Sequence, residues 1–260
     1  MNILVVGDIV GRPGRRAIKE LLGEVQKEYV VDFTIANGEN AAGGRGINHE
    51  AMDILLSSGI DVLTMGNHVW DNKEIFEFIK DQPQLIRPCN YPTGTPGQGF
   101  HIYEAGSLRV AVINASGRVF MGGLDCPFRL LDDILEEIDG LWDLCLVDFH
   151  AEATSEKLAL AYYLDGRVTA VLGTHTHIQT ADERILPGGT AYITDLGMTG
   201  PIHSILGMNK DMVIQKFLTQ RPIRLEVARG PVQLQGVLLE IDGKMKKTVK
   251  ILRISREITP

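Results

Sequence analysis

The stretch Ile3-Leu4-Val5-Val6-Gly7-Asp8 opens the chain and decides its fold class. Four apolar residues run without interruption, the pattern of a strand buried on both faces, and a Gly-Asp break ends them. Pro13 then opens a helical stretch to about Lys27, with Ile18, Leu21, Leu22 and Val25 at a spacing of three to four. The unit recurs. Residues 33–36 read as a strand followed by a helix over 49–57, and residues 62–65 as a strand followed by a helix over 73–79. Strands that alternate with helices predict an α/β fold with a parallel sheet covered by helices.

Beyond Tyr91 the texture changes. Residues 91–99 form a Pro/Gly loop, and 100–103 and 109–113 read as neighbouring strands. A loop over 116–127 carries Gly117, Gly122 and Gly123. Residues 130–138 and 155–164 read as helices, and 145–149, 168–172 and 190–194 as strands. Strands over 232–241 and 248–254 flank Asp242-Gly243, the signal of a two-residue hairpin turn. With no internal repeat and no linker, one domain over residues 1–260 with two packed sheets is expected.

Composition narrows the function. With 44% hydrophobic and 23% charged residues the chain has ample core material, which excludes disorder as a description of the whole. A net charge of −7 leaves no broad basic footprint for an extended nucleic acid. Three scattered cysteines without a CxxC predict neither disulfides nor a thiolate zinc site and fit a reduced cytoplasm. The N-terminus reads as a first strand and not as a signal peptide, and no apolar run reaches membrane-span length. A cytoplasmic, soluble protein is expected. GxxxxGK[ST] and a GxGxxG in the first turn are absent, which disfavours a P-loop or a dinucleotide site.

The polar residues at strand ends carry the functional signal. Asp8 follows the first strand, Glu39 and Asn40 the second, Asn67 and His68 the third, His150 the strand at 145–149, and His175 and His177 the strand at 168–172. Each alone has a plainer reading: Asp8 as a helix cap, Asn67 as a turn residue, His150 as a hydrogen-bonded core histidine. Seven histidines give about 0.2 chance His-x-His pairs, so the pair at 175 and 177 by itself decides little. Capping and turns do not explain why five strands all end in ligand-type side chains, which an open α/β sheet gathers at one crevice. The donors are nitrogen and oxygen without thiolate, and too many for one tetrahedral zinc. They suit two ions sharing a carboxylate, an arrangement that serves in-line phosphoryl displacement. His68 is then free to act as a general acid.

Gly66-Asn67-His68 and Gly173-Thr174-His175-Thr176-His177 resemble the GNH and GHxH motifs of calcineurin-like metallophosphoesterases. Two departures, Asp8-Ile9-Val10 in place of Asp-x-His and Gly38-Glu39-Asn40 in place of Gly-Asp-x-x-Asp, together with Gly11-Arg12-Pro13-Gly14 and the length, resemble the YmdB-like branch. The resemblance implies a four-layer αββα sandwich with two mixed β-sheets. It implies that Asp8, Glu39, Asn40 and His177 hold one metal ion and Glu39, Asn67, His150 and His175 a second, iron or manganese before zinc. It also implies a phosphodiesterase acting on small phosphodiesters such as 2′,3′-cyclic and also 3′,5′-cyclic nucleotides. A metal-held hydroxide would attack with His68 as proton donor, in a homo-oligomer. Arg45, Arg118 and His203 are the expected substrate contacts, with Phe120 beside Arg118 in a lid. The competing readings are a nucleotide- or phosphate-binding regulatory sensor with weak turnover, and a dinuclear hydrolase of another bond.

Overall fold

The structure, a computed structural model, describes residues 1–258. The first part runs β1 (Asn2–Val6), β2 (Asp8–Ile9), α1 (Gly11–Glu28), β3 (Phe33–Asn37), α2 (His49–Ser57), β4 (Val62–Thr64) and β5 (Leu85–Ile86). The second runs β6 (Phe100–Ala105), β7 (Leu108–Ser116), α3 (Pro127–Glu137), β8 (Leu144–His150), α4 (Thr154–Tyr163), β9 (Ala170–Thr174), β10 (Arg184–Ile185) and β11 (Ala191–Ile193). The chain ends in β12 (Met198–Pro201), α5 (Lys210–Thr219), β13 (Val232–Asp242) and β14 (Lys247–Ile258).

Two mixed sheets result. In the first, β1, β3, β4 and β5 are parallel neighbours, and β13 joins β1 antiparallel with Val5 opposite Val237. β13 also carries β14 and β12, and β12 carries β2. In the second sheet, β7, β8, β9 and β11 are parallel and are edged by antiparallel β6 and β10.

The alternation of a strand's side chains turns these sheets into layers. Ile3 and Val5 face a core shared with Val110, Val112, Leu144, Leu146 and Leu172 of the other sheet. Leu4 and Val6 face the opposite way, onto Ile18, Leu22 and Val25 of α1. On the second sheet Cys145, Val147 and Phe149 pack outward against Leu131 and Ile134 of α3 and Leu160 of α4. Three apolar cores between successive layers make the expected four-layer αββα sandwich.

Several local expectations are corrected. Residues 73–77 form a 3₁₀ turn, capped by the Asn72 side chain, and not a helix over 73–79. The short strands β2, β5 and β12 each have four residues or fewer and leave no readable period. Helix α5 buries only Val213, so no apolar stripe marked it, and Ile214, Phe217 and Leu218 face outward. The β13–β14 connection is the loop 243–246, not a two-residue turn. The Asp242 carboxylate accepts from Lys244 N at 2.8 Å and Met245 N at 3.0 Å, and Lys246, at φ +54°, takes the left-handed position. Asp8 is no helix cap. It lies in β2, and α1 starts after Val10 without a side-chain cap.

The inter-sheet core should dominate stability. Leu172→Ala is expected to cost ~2–5 kcal/mol in urea unfolding, and Leu141→Ala, at an exposed position, less than ~0.5 kcal/mol.

Candidate metal centre

The seam between the two sheets brings the strand-end residues together. Asp8, Glu39 and Asn67 come from the first sheet's side, and His150, His175 and His177 from the second's. Asp8, Glu39 and His150 are completely buried. Gly66 explains the closeness, because a Cβ there would run into the His150 ring and the Glu39 carboxylate.

One group forms around His150 Nε2, which lies 2.9 Å from Asn67 Oδ1, 3.1 Å from Glu39 Oε1 and 3.1 Å from His175 Nδ1. Its other nitrogen, Nδ1, is 2.9 Å from Thr174 Oγ1, whose hydroxyl donates to Asp148 Oδ1 at 2.7 Å. With that proton committed, Thr174 accepts from His150 Nδ1–H, and Nε2 is the atom with a free lone pair. His175 is arranged likewise: its Nε2 meets Glu152 Oε2 at 3.0 Å, which turns Nδ1 towards His150.

The second group surrounds Asp8. Its Oδ2 accepts from His175 N at 3.1 Å, while Oδ1 is buried without a hydrogen-bond partner, 3.7 Å from His177 Nε2. His177 donates through Nδ1 to the Leu206 carbonyl at 3.2 Å, leaving Nε2 to accept from Asn40 Nδ2 at 3.3 Å. Asn40 Nδ2 also donates to Glu39 Oε1 at 3.2 Å, so Glu39 stands between the groups. Asn40 presents its amide nitrogen here, and serving as a metal ligand requires the amide to turn over and offer Oδ1.

Charge follows position. Burial alone would raise the pKa of Asp8, but His177, His150 and the His175 N–H outweigh it and hold the carboxyl well below its usual range. Burial likewise opposes Glu39's ionisation, and His150 overcomes it. In His150, burial is outweighed by Glu39, Asp8 and Asp148, which push its pKa up to about 9. His177 is raised mainly by Asp8 against its burial, and His175 is lowered by burial and by His150. Asp148, beneath the site, is raised by burial to about 6. Two buried carboxylates thus draw protons onto histidines that a cation would displace. The unpartnered Asp8 Oδ1 and the convergence of Glu39, His150 and His175 donor atoms within 4.8 Å of one another fit a metal centre of nitrogen and oxygen ligands.

His68 sits at the rim. Its backbone N–H donates to Glu39 Oε2 at 2.9 Å, and its ring Nδ1 lies 2.9 Å from Asp71 Oδ2. Arg45 is exposed on the same side, with Nη1 3.9 Å from Asp71 Oδ2. Arg118 and His203 are not brought to the centre. The loop after β7 starts at its edge, with Gly117 N bonded to the His150 carbonyl at 2.9 Å, but the Arg118 guanidinium turns to Cys126 Sγ at 3.4 Å. Phe120 points into solvent at 89% exposure. His203 lines a separate cavity of about 460 Å³ with Asn209, Glu226 and Arg229.

The sequence profile described as YmdB-like protein matches residues 4–254. The chain belongs to the YmdB-like family. It is 53% identical over 254 residues to the 2′,3′-cyclic-nucleotide 2′-phosphodiesterase of Bacillus subtilis, covering 98% of this chain and 96% of that protein. Among solved structures it is similar to a Thermus thermophilus hypothetical protein, at 44% identity, a TM-score of 0.93 and 99% coverage of each chain. It is also similar to a Mycoplasma pneumoniae phosphatase, at 36% identity and a TM-score of 0.94 over 100% of this chain and 95% of that one. These relatives are of the calcineurin-like metallophosphoesterase class, and membership of the YmdB-like family implies divalent metal ions.

Asp71, Glu152, Asp148 and the Leu206 carbonyl escaped the sequence reading. The only available signals were the spacings His68-x-x-Asp71 and His150-x-Glu152. Gly66→Ala is expected to weaken Mn²⁺ binding ~10–100-fold, the range for disturbing ligand supports, as calorimetric titration of the metal-free protein would register. Unchanged affinity would show that the close approach at Gly66 is dispensable.

Proposed function

We propose that this chain is a dinuclear metal-dependent phosphodiesterase acting on small phosphodiesters, 2′,3′-cyclic nucleotides foremost. Support for the substrate class comes from the 53% identity to the Bacillus subtilis enzyme of that description. Asp8, Glu39, Asn40 and His177 would hold one ion, and Glu39, Asn67, His150 and His175 the other, with Glu39 shared. The donor set, free of thiolate, favours iron or manganese, with zinc a weaker match. When bound, such ions supply charge neutralisation at the phosphoryl oxygens and a water of lowered pKa.

The single observation that carries the reading is the His68–Asp71 pair, because a site that only binds phosphate has no use for an oriented proton donor. Asp71 holds Nδ1 of the ring at 2.9 Å, and the backbone bond to Glu39 fixes the residue beside the centre. The ring's Nε2 is then free to pass a proton to the leaving ribose oxygen as the P–O bond breaks. Arg45, exposed beside the pair, offers a guanidinium to a non-bridging phosphate oxygen. Arg118 and His203 drop out of this role unless their segments move.

The remaining attributes belong to the same reading. Cys89, Cys126 and Cys145 are all free thiols, which supports a cytoplasmic setting. No helix among the described residues is long and apolar enough to cross a membrane. The outward Ile214, Phe217 and Leu218 of α5 support a homo-oligomer.

The test is turnover of 2′,3′-cyclic AMP by manganese- or iron-loaded protein. His68→Ala should keep both ions and lose ~10²–10⁴ in kcat, with a smaller loss for Asp71→Asn. Undiminished turnover in His68→Ala would remove the residue from its role. A wild-type protein that binds two ions and turns over no cyclic nucleotide would overturn the substrate class.

A further inference from the structure

Away from the ligands themselves, α4 and the segment after β11 contribute a fully buried ion pair. Lys157 Nζ donates to Asp195 Oδ2 at 2.8 Å, with both side chains essentially inaccessible to water. Burying two charges carries a large desolvation cost, and a well-packed apolar pair in the same space is often at least as stable. Stability alone is therefore a poor reason for the pair.

What the carboxylate does besides meeting Lys157 is more specific. Asp195 Oδ2 also accepts from Thr176 N at 3.0 Å and from Thr176 Oγ1 at 2.7 Å, and Oδ1 accepts from Gly197 N at 2.9 Å. Thr176 is the middle residue of His175-Thr176-His177. Both flanking histidines have left-handed backbones, at φ +97° and +63°. Non-glycine residues adopt that region rarely, and two of them around one residue hold a strained turn that its surroundings must enforce. The turn's other anchors are Asp8, which accepts from His175 N, and the Leu206 carbonyl, which accepts from His177 Nδ1. Asp8 belongs to the metal centre, and Leu206 lies in a loop at φ +51°. Asp195 is charged, stands outside the ligand set and holds the turn's backbone; Glu152, the other such carboxylate, meets only the His175 ring, at 3.0 Å. Gly173 lies against the same region: a Cβ there would first run into the Thr194 backbone and would also meet Lys157 Cδ at 3.0 Å.

We propose that Lys157 and Asp195 are positioning residues: their buried ion pair clamps Thr176 and so holds His175 and His177 in the backbone conformation that aims both rings at the metal centre. The inference rests on the two-ion reading above. Lys157 holds Asp195 in place at 2.8 Å, and the same carboxylate accepts from the turn's backbone and hydroxyl. A carboxylate accepting several N–H and O–H donors is a strong and directional anchor.

The test separates clamping from support of the fold. Metal-free protein is titrated with Mn²⁺ by calorimetry, and unfolding is followed in urea on the same samples. Wild type should take up two ions per chain; fewer would defeat the two-ion reading itself, and this proposal with it. Thr176→Val, which removes one hydroxyl without changing shape, should leave the urea midpoint nearly unmoved and weaken one Mn²⁺ site ~10–100-fold. Asp195→Asn should reduce both stability and uptake. The double variant Lys157→Met with Asp195→Leu should regain the stability but not the uptake, remaining at one ion or none. With wild type at two ions, full two-ion binding by Thr176→Val, or by the refolded double variant, would overturn the clamp alone.

Discussion

Two fully buried carboxylates, Asp8 and Glu39, face one another's surroundings at the seam of two sheets, and much of the neighbouring structure answers that electrostatic demand. Neither can be ionised there without compensation, because charge in a low-dielectric interior is strongly disfavoured. Most of the compensation arrives from the opposite sheet. His150 reaches Glu39 at 3.1 Å, His177 approaches Asp8 at 3.7 Å, and backbone N–H groups of His175 and His68 reach the two carboxylates. The strand-end side chains of the two sheets meet where the sheets pack face to face over their shared hydrophobic core.

The polar layer beneath the centre extends this logic. Asp148 of β8 accepts from Thr174 of β9 in its own sheet and from Thr64 and Asn37 in the other. Asn114 of β7 accepts from Met65 N and donates to the Asp148 carbonyl. These buried groups form a hydrogen-bonded floor across the seam at the carboxyl ends of the strands. Satisfied networks of this kind favour one arrangement over near alternatives, since a slip of either sheet would leave several buried donors and acceptors unpaired. Through Thr174, the floor also sets which nitrogen His150 turns upward.

The sequence made legible what depends on local pattern. The apolar runs at 3–6, 33–36 and 62–65 announced parallel strands, and the acids, amides and histidines that follow them stood out because strand ends in such sheets converge. What it concealed depends on contacts between distant segments. Asp195 lies 19 residues from Thr176 and 38 from Lys157, in a stretch that reads as an ordinary strand exit. Lys157 sits in a helix, where a lysine is normally solvated. Arg118 and Arg45 occupy similar glycine-rich loops, and only the fold distinguishes the guanidinium beside His68 from the one folded back on Cys126. α5 was hidden for the opposite reason: it packs so little against the core that no periodic burial constrained its residues.

His175 and His177, at the same seam, both have left-handed backbones. A backbone forced into an uncommon region is held there only if its neighbours over-determine it. At residues 175–177 they do, through Asp8 on one side, Asp195 in the middle and the Leu206 carbonyl on the other. In extended backbone residues 175 and 177, two apart, would share a face; the left-handed turn instead presents His175 Nδ1 to His150 Nε2 at 3.1 Å while His177 Nε2 lies 3.7 Å from Asp8 Oδ1. The turn thus sends the two rings of one His-x-His segment to different neighbours, one towards His150 and one towards Asp8. Asp195, which accepts from both Thr176 N and Thr176 Oγ1, holds the middle of that turn.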